Sequence, residues 1–379
     1  MSIDRRKMIV LGAAGAAATL HPPLQRAAAA AAQRGSSAAG DELPAREASW
    51  YKKLEEGRVE CELCPQACKV ADMERGMCGV RENRGGTYYT LVHSLACSIH
   101  TDPIEKKPLF HVLPGEKAFS FSTAGCNVEC KFCQNWELSQ FRPEQVQAYN
   151  LPPERLVAAA RRNGARLTAA TYGEPVVFWE YVRDVAIAAN AVGVKPTVVS
   201  NGFIKEKALR EVLPLLSAIK VDLKSFRDDF YRKQVRGELE PVLKSLQVIK
   251  EIGVWLEIVV LLVPTLNDSA AEVHDLCAWV RAKLGPDVPV HFTRFHPTYR
   301  LTDLPPTPVK SLERAWEIGR NAGLNYVYLG NVPGHPGENT TCPACGEILI
   351  RRVGYRILSN RLVNGSCPDC QRSITGVWS

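Results

Sequence analysis

Three cysteines on one short loop, Cys126, Cys130 and Cys133, are the residues whose spacing says most about chemistry. A C-x3-C-x2-C run can give thiolates to three irons of a 4Fe-4S cubane, leaving the fourth iron free for an exogenous ligand. A structural zinc is the bland reading, but zinc closes its shell with four ligands, and no fourth cysteine follows closely. Eight more of the thirteen cysteines fall into two tight groups, a pattern that argues for metal rather than disulfides. Cys342, Cys345, Cys367 and Cys370 form two C-x2-C pairs with 21 residues between them, close to zinc-ribbon spacing. Four thiolates complete a zinc shell, so that metal would be structural and would let a small module fold. Cys61, Cys64, Cys68 and Cys78 also suffice for one metal centre, either scaffolding zinc, slightly preferred, or an accessory iron-sulfur cluster that could relay electrons. Cys97 and Cys277 stand alone and read as ordinary buried residues.

These groups need elements to hold them. Apolar, β-prone runs over 119–123, 167–172, 197–201, 219–223, 255–262 and 290–295, with a weaker one over 326–329, predict strands. Helical patterns fall between them over 154–163, 177–191, 205–215, 241–251 and 270–284. The alternation predicts an α/β fold, a full or partial (βα) barrel with its chemistry at the C-terminal strand ends. The thiol loop directly follows the first of these strands. Tyr172 and Glu174 end the second, Ser200 and Asn201 the third. In the fourth, period 2 puts Lys220, Asp222 and Lys224 on one face and Val221 and Leu223 on the other. Three charges cannot lie unpaired inside a barrel, so they form an ionic group or face a cofactor. His291 and His296 lie on opposite faces of the sixth strand; His296, at its C-terminal end, is a candidate substrate contact or proton donor and equally a structural histidine.

The chain has 379 residues, 46% of them hydrophobic, which excludes a mainly disordered protein. The expected organisation is a twin-arginine-like signal over 1–32, a linker over 33–49, a Cys-rich metal-binding region over 50–115, the barrel over 116–335 and a zinc ribbon over 336–379. Arg5, Arg6, Lys7 and Arg26 stand against Asp4 alone in the first segment, so it supplies part of the net charge of +7. Filled thiolate sites would bring the rest close to neutral, and no basic, aromatic stripe marks a nucleic-acid face. The apolar run over 9–20 is too short to span a bilayer, so no permanent membrane span is expected. The signal points to export to the periplasm.

The thiol loop in its strand-then-loop setting resembles the radical SAM superfamily. The stretches 61–65, 75–81, 292–297, 330–335 and 376–378 further resemble the radical SAM component of the AmmeMemoRadiSam system, which is similar to pyruvate formate-lyase activating enzymes. The resemblance covers about residues 50–379. It implies that the open iron binds S-adenosylmethionine and that reductive cleavage yields a 5'-deoxyadenosyl radical, which abstracts hydrogen from an unidentified substrate. It also implies that Phe132 lies near the adenine, Tyr172 and Glu174 near the cofactor's amino group, and Ser200 and Asn201 near its ribose and methionine parts. Asp222 and Lys224 would face the cofactor. Implied partners are an electron donor such as flavodoxin or ferredoxin, and Memo-like and AMMECR-type proteins; the implied supply of S-adenosylmethionine and low-potential electrons points to the cytoplasm, against the export signal. Two further readings are an activase that places a radical on a glycine of another enzyme, and a non-catalytic iron-sulfur and zinc protein for electron transfer or interaction.

Overall fold

The computed structural model describes residues 43–379; the signal-like segment and most of the expected linker lie outside them. Short apolar strands cut by amphipathic helices build one eight-stranded sheet. Its strands are β1 (Ser98–Pro103), β2 (Lys117–Ser122), β3 (Leu167–Ala170), β4 (Lys195–Ser200), β5 (Ala218–Asp222), β6 (Trp255–Leu262), β7 (Val290–Arg294) and β8 (Val327–Gly330). From β2 to β8 they are parallel and neighbour one another in chain order, while β1 runs antiparallel to β2. Among the described residues the sheet is open, with β1 and β8 at its edges.

The crossovers carry α1 (Pro153–Arg162), α2 (Trp179–Asn190), α3 (Glu206–Val212), α4 (Leu239–Ile252), α5 (Ala270–Lys283) and α6 (Val309–Asn321). Sequential order with right-handed crossovers puts all the helices on one face and leaves the other to line an interior. The helices show the matching periodicity: α1 buries Leu156, Val157 and Ala160 and ends on exposed Arg161 and Arg162. Ser269 caps α5, its hydroxyl accepting the Glu272 N–H at 3.3 Å.

Most sequence-based elements fall within a few residues of their expected bounds, and the strand over 255–262 matches throughout. The helix expected over 177–191 begins instead as a 3-10 turn, Pro175–Phe178, because Pro175 suits a first turn and cannot sit inside a helix. Within the main sheet and its crossovers, two elements had no sequence expectation of their own. One is β1, an edge strand without apolar alternation that ends on Pro103; the other is α6, which buries only Leu312, Ala315 and Gly319.

Ahead of the sheet, Tyr51–Lys53, Val59–Cys61 and Lys69–Val70 form one small antiparallel sheet, and Arg46–Glu47, Arg81–Arg84 and Thr87–Thr90 another. Arg46 and Glu47 pair with Thr90 and Tyr89, so ordered pairing starts inside the expected linker and before Trp50. A buried ion pair between Arg81 and Glu180 docks this region on α2. The Trp50 indole N–H donates to Glu211 on α3 at 2.8 Å. At the other end, β9 (Ile348–Val353) and β10 (Arg356–Asn360) form a hairpin. The terminal segment returns to the main body, where Val377 exchanges backbone hydrogen bonds with His111 (2.7 Å) and Leu113 (2.8 Å). No helix among the described residues is long and apolar enough to cross a membrane.

Candidate active site

The loop after β2 carries Cys126, Cys130 and Cys133 to the wall of a cavity of about 400 Å³. Gly125 makes the turn possible. Its φ of +94° is left-handed, and a Cβ there would stand 2.7 Å from Val80 Cγ1 and 2.8 Å from the Cys78 carbonyl oxygen. Asn127 pins the loop, donating to the Phe203 carbonyl at 2.6 Å and accepting from Asn201 Nδ2 at 2.9 Å. Glu129 and Lys131 donate backbone N–H groups to Val235 and Gln234 at 2.8 and 3.0 Å. Burial pushes the Cys130 thiol up to about 12 and raises Cys126 as well. A thiolate at either position therefore needs a cation beside it, which iron would supply, and the donor set fits a three-thiolate cluster. The cavity is large enough for a cofactor-sized ligand.

The neighbouring strand ends close on the same cavity. Beyond β3, Tyr172 turns the chain with a φ of 68°. Gly173 then passes so close to Ser122 that a Cβ would lie 2.7 Å from its hydroxyl. The Glu174 carboxylate is 4% exposed and takes hydrogen bonds from Ser200 Oγ (2.7 Å), Asn201 N (2.8 Å) and Val176 N (3.1 Å). Burial nevertheless pushes it up to about 7, with those donors and Lys224 pulling the other way. Lys220, Asp222 and Lys224 share the cavity face of β5 and its extension, while Val221 and Leu223 are buried in the core. The charges form an ionic group, and that group lines the cavity. Asp222 binds Lys220 and lies 3.2 Å from Lys224 Nζ. Burial alone would raise Asp222, but the two ammonium groups bring it down to about 2. Burial also works against the Lys224 ammonium, yet the Asp222 carboxylate, and Cys130 when it is a thiolate, hold its pKa above the ordinary lysine value.

The cavity thus brings together Cys126, Cys130, Cys133, Phe132, Tyr172, Glu174, Ser200, Asn201, Asp222 and Lys224. His296 is not among its lining residues; it is exposed beyond the end of β7. His291 lines the cavity instead, held at 2.7 Å by Glu257, and burial lowers its pKa. The sequence put the two histidines on opposite faces but did not say which face turned inward. Asn201 spends its side chain on Asn127 and on the Phe203 N–H (2.8 Å), so it positions the thiol loop as well as facing the cavity.

Other cavity residues had no sequence signal. Lys107 sits on a loop, 2.8 Å from Asp102 and 3.1 Å from the Tyr172 hydroxyl, and burial lowers it to about 8. Glu105, 1% exposed, leaves Oε2 without a hydrogen-bond partner. Tyr355, at the tip of the β9–β10 hairpin, forms part of the far wall.

Of the other cysteine groups, the C-terminal four have ligand atoms all within 4.8 Å of one another. Cys342 and Cys370 sulfurs are 3.5 Å apart, and Cys345 and Cys367 sulfurs 3.7 Å. A tetrahedron with Zn–S bonds of about 2.3 Å has edges of roughly 3.8 Å, so this set fits zinc. Cys61, Cys64, Cys68 and Cys78 line one small cavity beside the thiol loop. Cys277 is fully buried, as expected of a core cysteine, whereas Cys97 is only partly so.

Residues 120–277 match the family model described as the Radical SAM superfamily. An uncharacterized protein of Methanocaldococcus jannaschii, MJ0808, is 42% identical over 331 residues, which are 87% of this chain and 98% of that protein. The pyruvate formate-lyase 1-activating enzyme of Escherichia coli K12 is 25% identical over 175 residues, 44% of this chain and 70% of the enzyme. Among solved structures, a radical SAM methyltransferase from Sphaerobacter thermophilus aligns with a TM-score of 0.46 and 19% identity, over 59% of this chain and 70% of that one.

Proposed function

The chain belongs to the radical SAM superfamily, and on that premise we propose that Cys126, Cys130 and Cys133 hold a 4Fe-4S cluster whose open iron takes S-adenosylmethionine in the adjoining cavity. Once bound, the cluster supplies the electron that cleaves S-adenosylmethionine to a 5'-deoxyadenosyl radical, which abstracts hydrogen from a substrate. The observation that carries this reading is that the three thiols face one cavity together with the buried Glu174 carboxylate and the Lys220, Asp222 and Lys224 group.

Glu174 offers acceptor oxygens to an ammonium group, and Asp222 and Lys224 offer one charge of each sign to the cofactor's polar end. Phe132, 4% exposed and packed 5.7 Å from the Phe230 ring, gives the adenine an apolar surface. Tyr172, Ser200 and Asn201 fix the turns that bring these groups to the cavity.

Within the superfamily, the stretches 61–65, 75–81, 292–297, 330–335 and 376–378 support membership of the AmmeMemoRadiSam radical SAM group, built on a partial barrel with a C-terminal zinc ribbon. That membership brings Memo-like and AMMECR-type proteins as partners and a flavodoxin or ferredoxin as electron donor. Activation of a glycyl-radical enzyme is a second reading, favoured by the likeness to pyruvate formate-lyase 1-activating enzyme.

The test is anaerobic. The reconstituted chain, reduced with dithionite and given S-adenosylmethionine, is expected to release 5'-deoxyadenosine, and the Cys126→Ala variant to release none. No nucleoside from a fully cluster-loaded chain overturns the reading. A glycyl radical on an added partner enzyme, seen by electron paramagnetic resonance, would select the activase.

A further inference from the structure

We propose that Cys61, Cys64, Cys68 and Cys78 hold a second iron-sulfur cluster, not zinc. The inference concerns a separate site and stands whether or not the substrate reading above holds. Its first support is a contrast within this chain. The C-terminal quartet is drawn together to the sulfur spacing of a single tetrahedral ion, with every ligand atom within 4.8 Å of the others. The N-terminal four instead ring a cavity, whose wall they share with Gly76, Tyr88, Val176 and Val177. A cubane places a separate iron behind each thiolate, so its sulfurs stand around a volume rather than around a point.

The spacing differs in the same sense. The C-terminal set is two C-x2-C knuckles, as zinc ribbons require. The N-terminal set puts three thiols on one short run, Cys61 to Cys68, and adds Cys78 from the next turn, a distribution closer to ferredoxin-type ligation. One of its sulfurs, Cys68 Sγ, also receives a backbone N–H, from Met77 at 3.4 Å. Such a donor stabilises the charge of a ligating thiolate and tunes a cluster's potential. The inner wall of the site is apolar, with Leu63, Tyr88, Val176 and Val177 all no more than 2% exposed, while Cys68 and Cys78 are partly exposed.

Its placement gives such a cluster a role that redox-inert zinc could not fill. Gln66 Nε2 donates to the Asn127 carbonyl at 3.0 Å, and the Cys78 carbonyl lies against Gly125, the residue before Cys126. The two thiol loops are in direct contact. A low-potential one-electron carrier protein could therefore reduce the N-terminal cluster by one electron, which then passes to the cluster at Cys126, Cys130 and Cys133.

The experiment counts metals in the full chain, purified anaerobically and reconstituted with iron and sulfide. The wild-type chain is expected to hold about eight irons, and the variant with Cys126, Cys130 and Cys133 all changed to alanine about four, with a reduced-cluster paramagnetic signal retained. The Cys64→Ser, Cys78→Ser variant, with the loop triad intact, should also fall to about four. A wild-type chain with about four irons and about two zincs overturns the proposal, as does a folded triad variant devoid of iron. The wild-type count decides the matter even if a variant fails to fold.

Discussion

Glu174 concentrates the electrostatics of the site in one side chain. Its pKa rises from 4.5 to about 7 because burial outweighs three hydrogen bonds. A carboxyl whose folded pKa is raised binds extra protons in the folded state. Its contribution is therefore fully present below the unfolded value and is lost as pH rises through the folded one. In the cluster-free chain, stability should fall between about pH 4.5 and 7 by an amount on the order of 3 kcal/mol. Urea denaturation across that window measures the fall, and Glu174→Gln should flatten it; an unchanged slope in the variant would assign the effect elsewhere. At this scale the cysteine groups stood out because metal ligation constrains spacing along the chain and their spacing is of that kind. Glu174, Asp222 and Lys224 were legible because they end strands. His296 was misplaced because alternation separates two faces without orienting them. Glu105 and Lys107 carried no signal, since a single 3-10 turn and the residue that ends it are too short to show a period from which direction can be read.

Among the elements, β6 shows how the sheet braces the cavity floor. Glu257 on β6 accepts from His291 Nε2 (2.7 Å), Trp255 Nε1 (3.0 Å) and the backbone N–H groups of His111 (2.8 Å) and Phe110 (3.0 Å). Four donors in a dry interior make this carboxylate the junction of two strands and the loop that follows β1. Glu257→Ala orphans all four and is expected to cost about 3–5 kcal/mol, whereas Glu257→Gln keeps an acceptor and should lose clearly less. Thermal unfolding of the two variants distinguishes these outcomes. Strands such as β6 and β7 were readable because burial on both faces demands continuous apolar runs. Glu257 and His291 are accommodated inside those strands by pairing with each other. β1 was invisible because an edge strand has only one neighbour to satisfy and needs little apolar patterning.

At the scale of the molecule, the C-terminal hairpin helps to wall a cavity that the open sheet cannot close alone. Arg352 anchors it, 2% exposed, donating to the Phe110 carbonyl at 2.8 Å and Thr340 Oγ1 at 2.7 Å. Arg352→Ala should leave any metal content of the four-cysteine cluster unchanged, lower stability by about 2–4 kcal/mol and speed proteolysis of the segment after 336. Unaltered proteolysis would show that the four-cysteine cluster holds the hairpin in place without this anchor. The chain-order arrangement of the parallel strands has a kinetic consequence. Each strand from β3 to β8 joins a neighbour only one crossover away, so the sheet can grow from β2 by a series of short loop closures. The contact between Arg352 and Phe110 closes a separation of 242 residues and belongs to the slow end of assembly. Folding in that order leaves an interval in which the thiol loop is formed while its cavity is still unwalled, and iron delivered then meets no barrier.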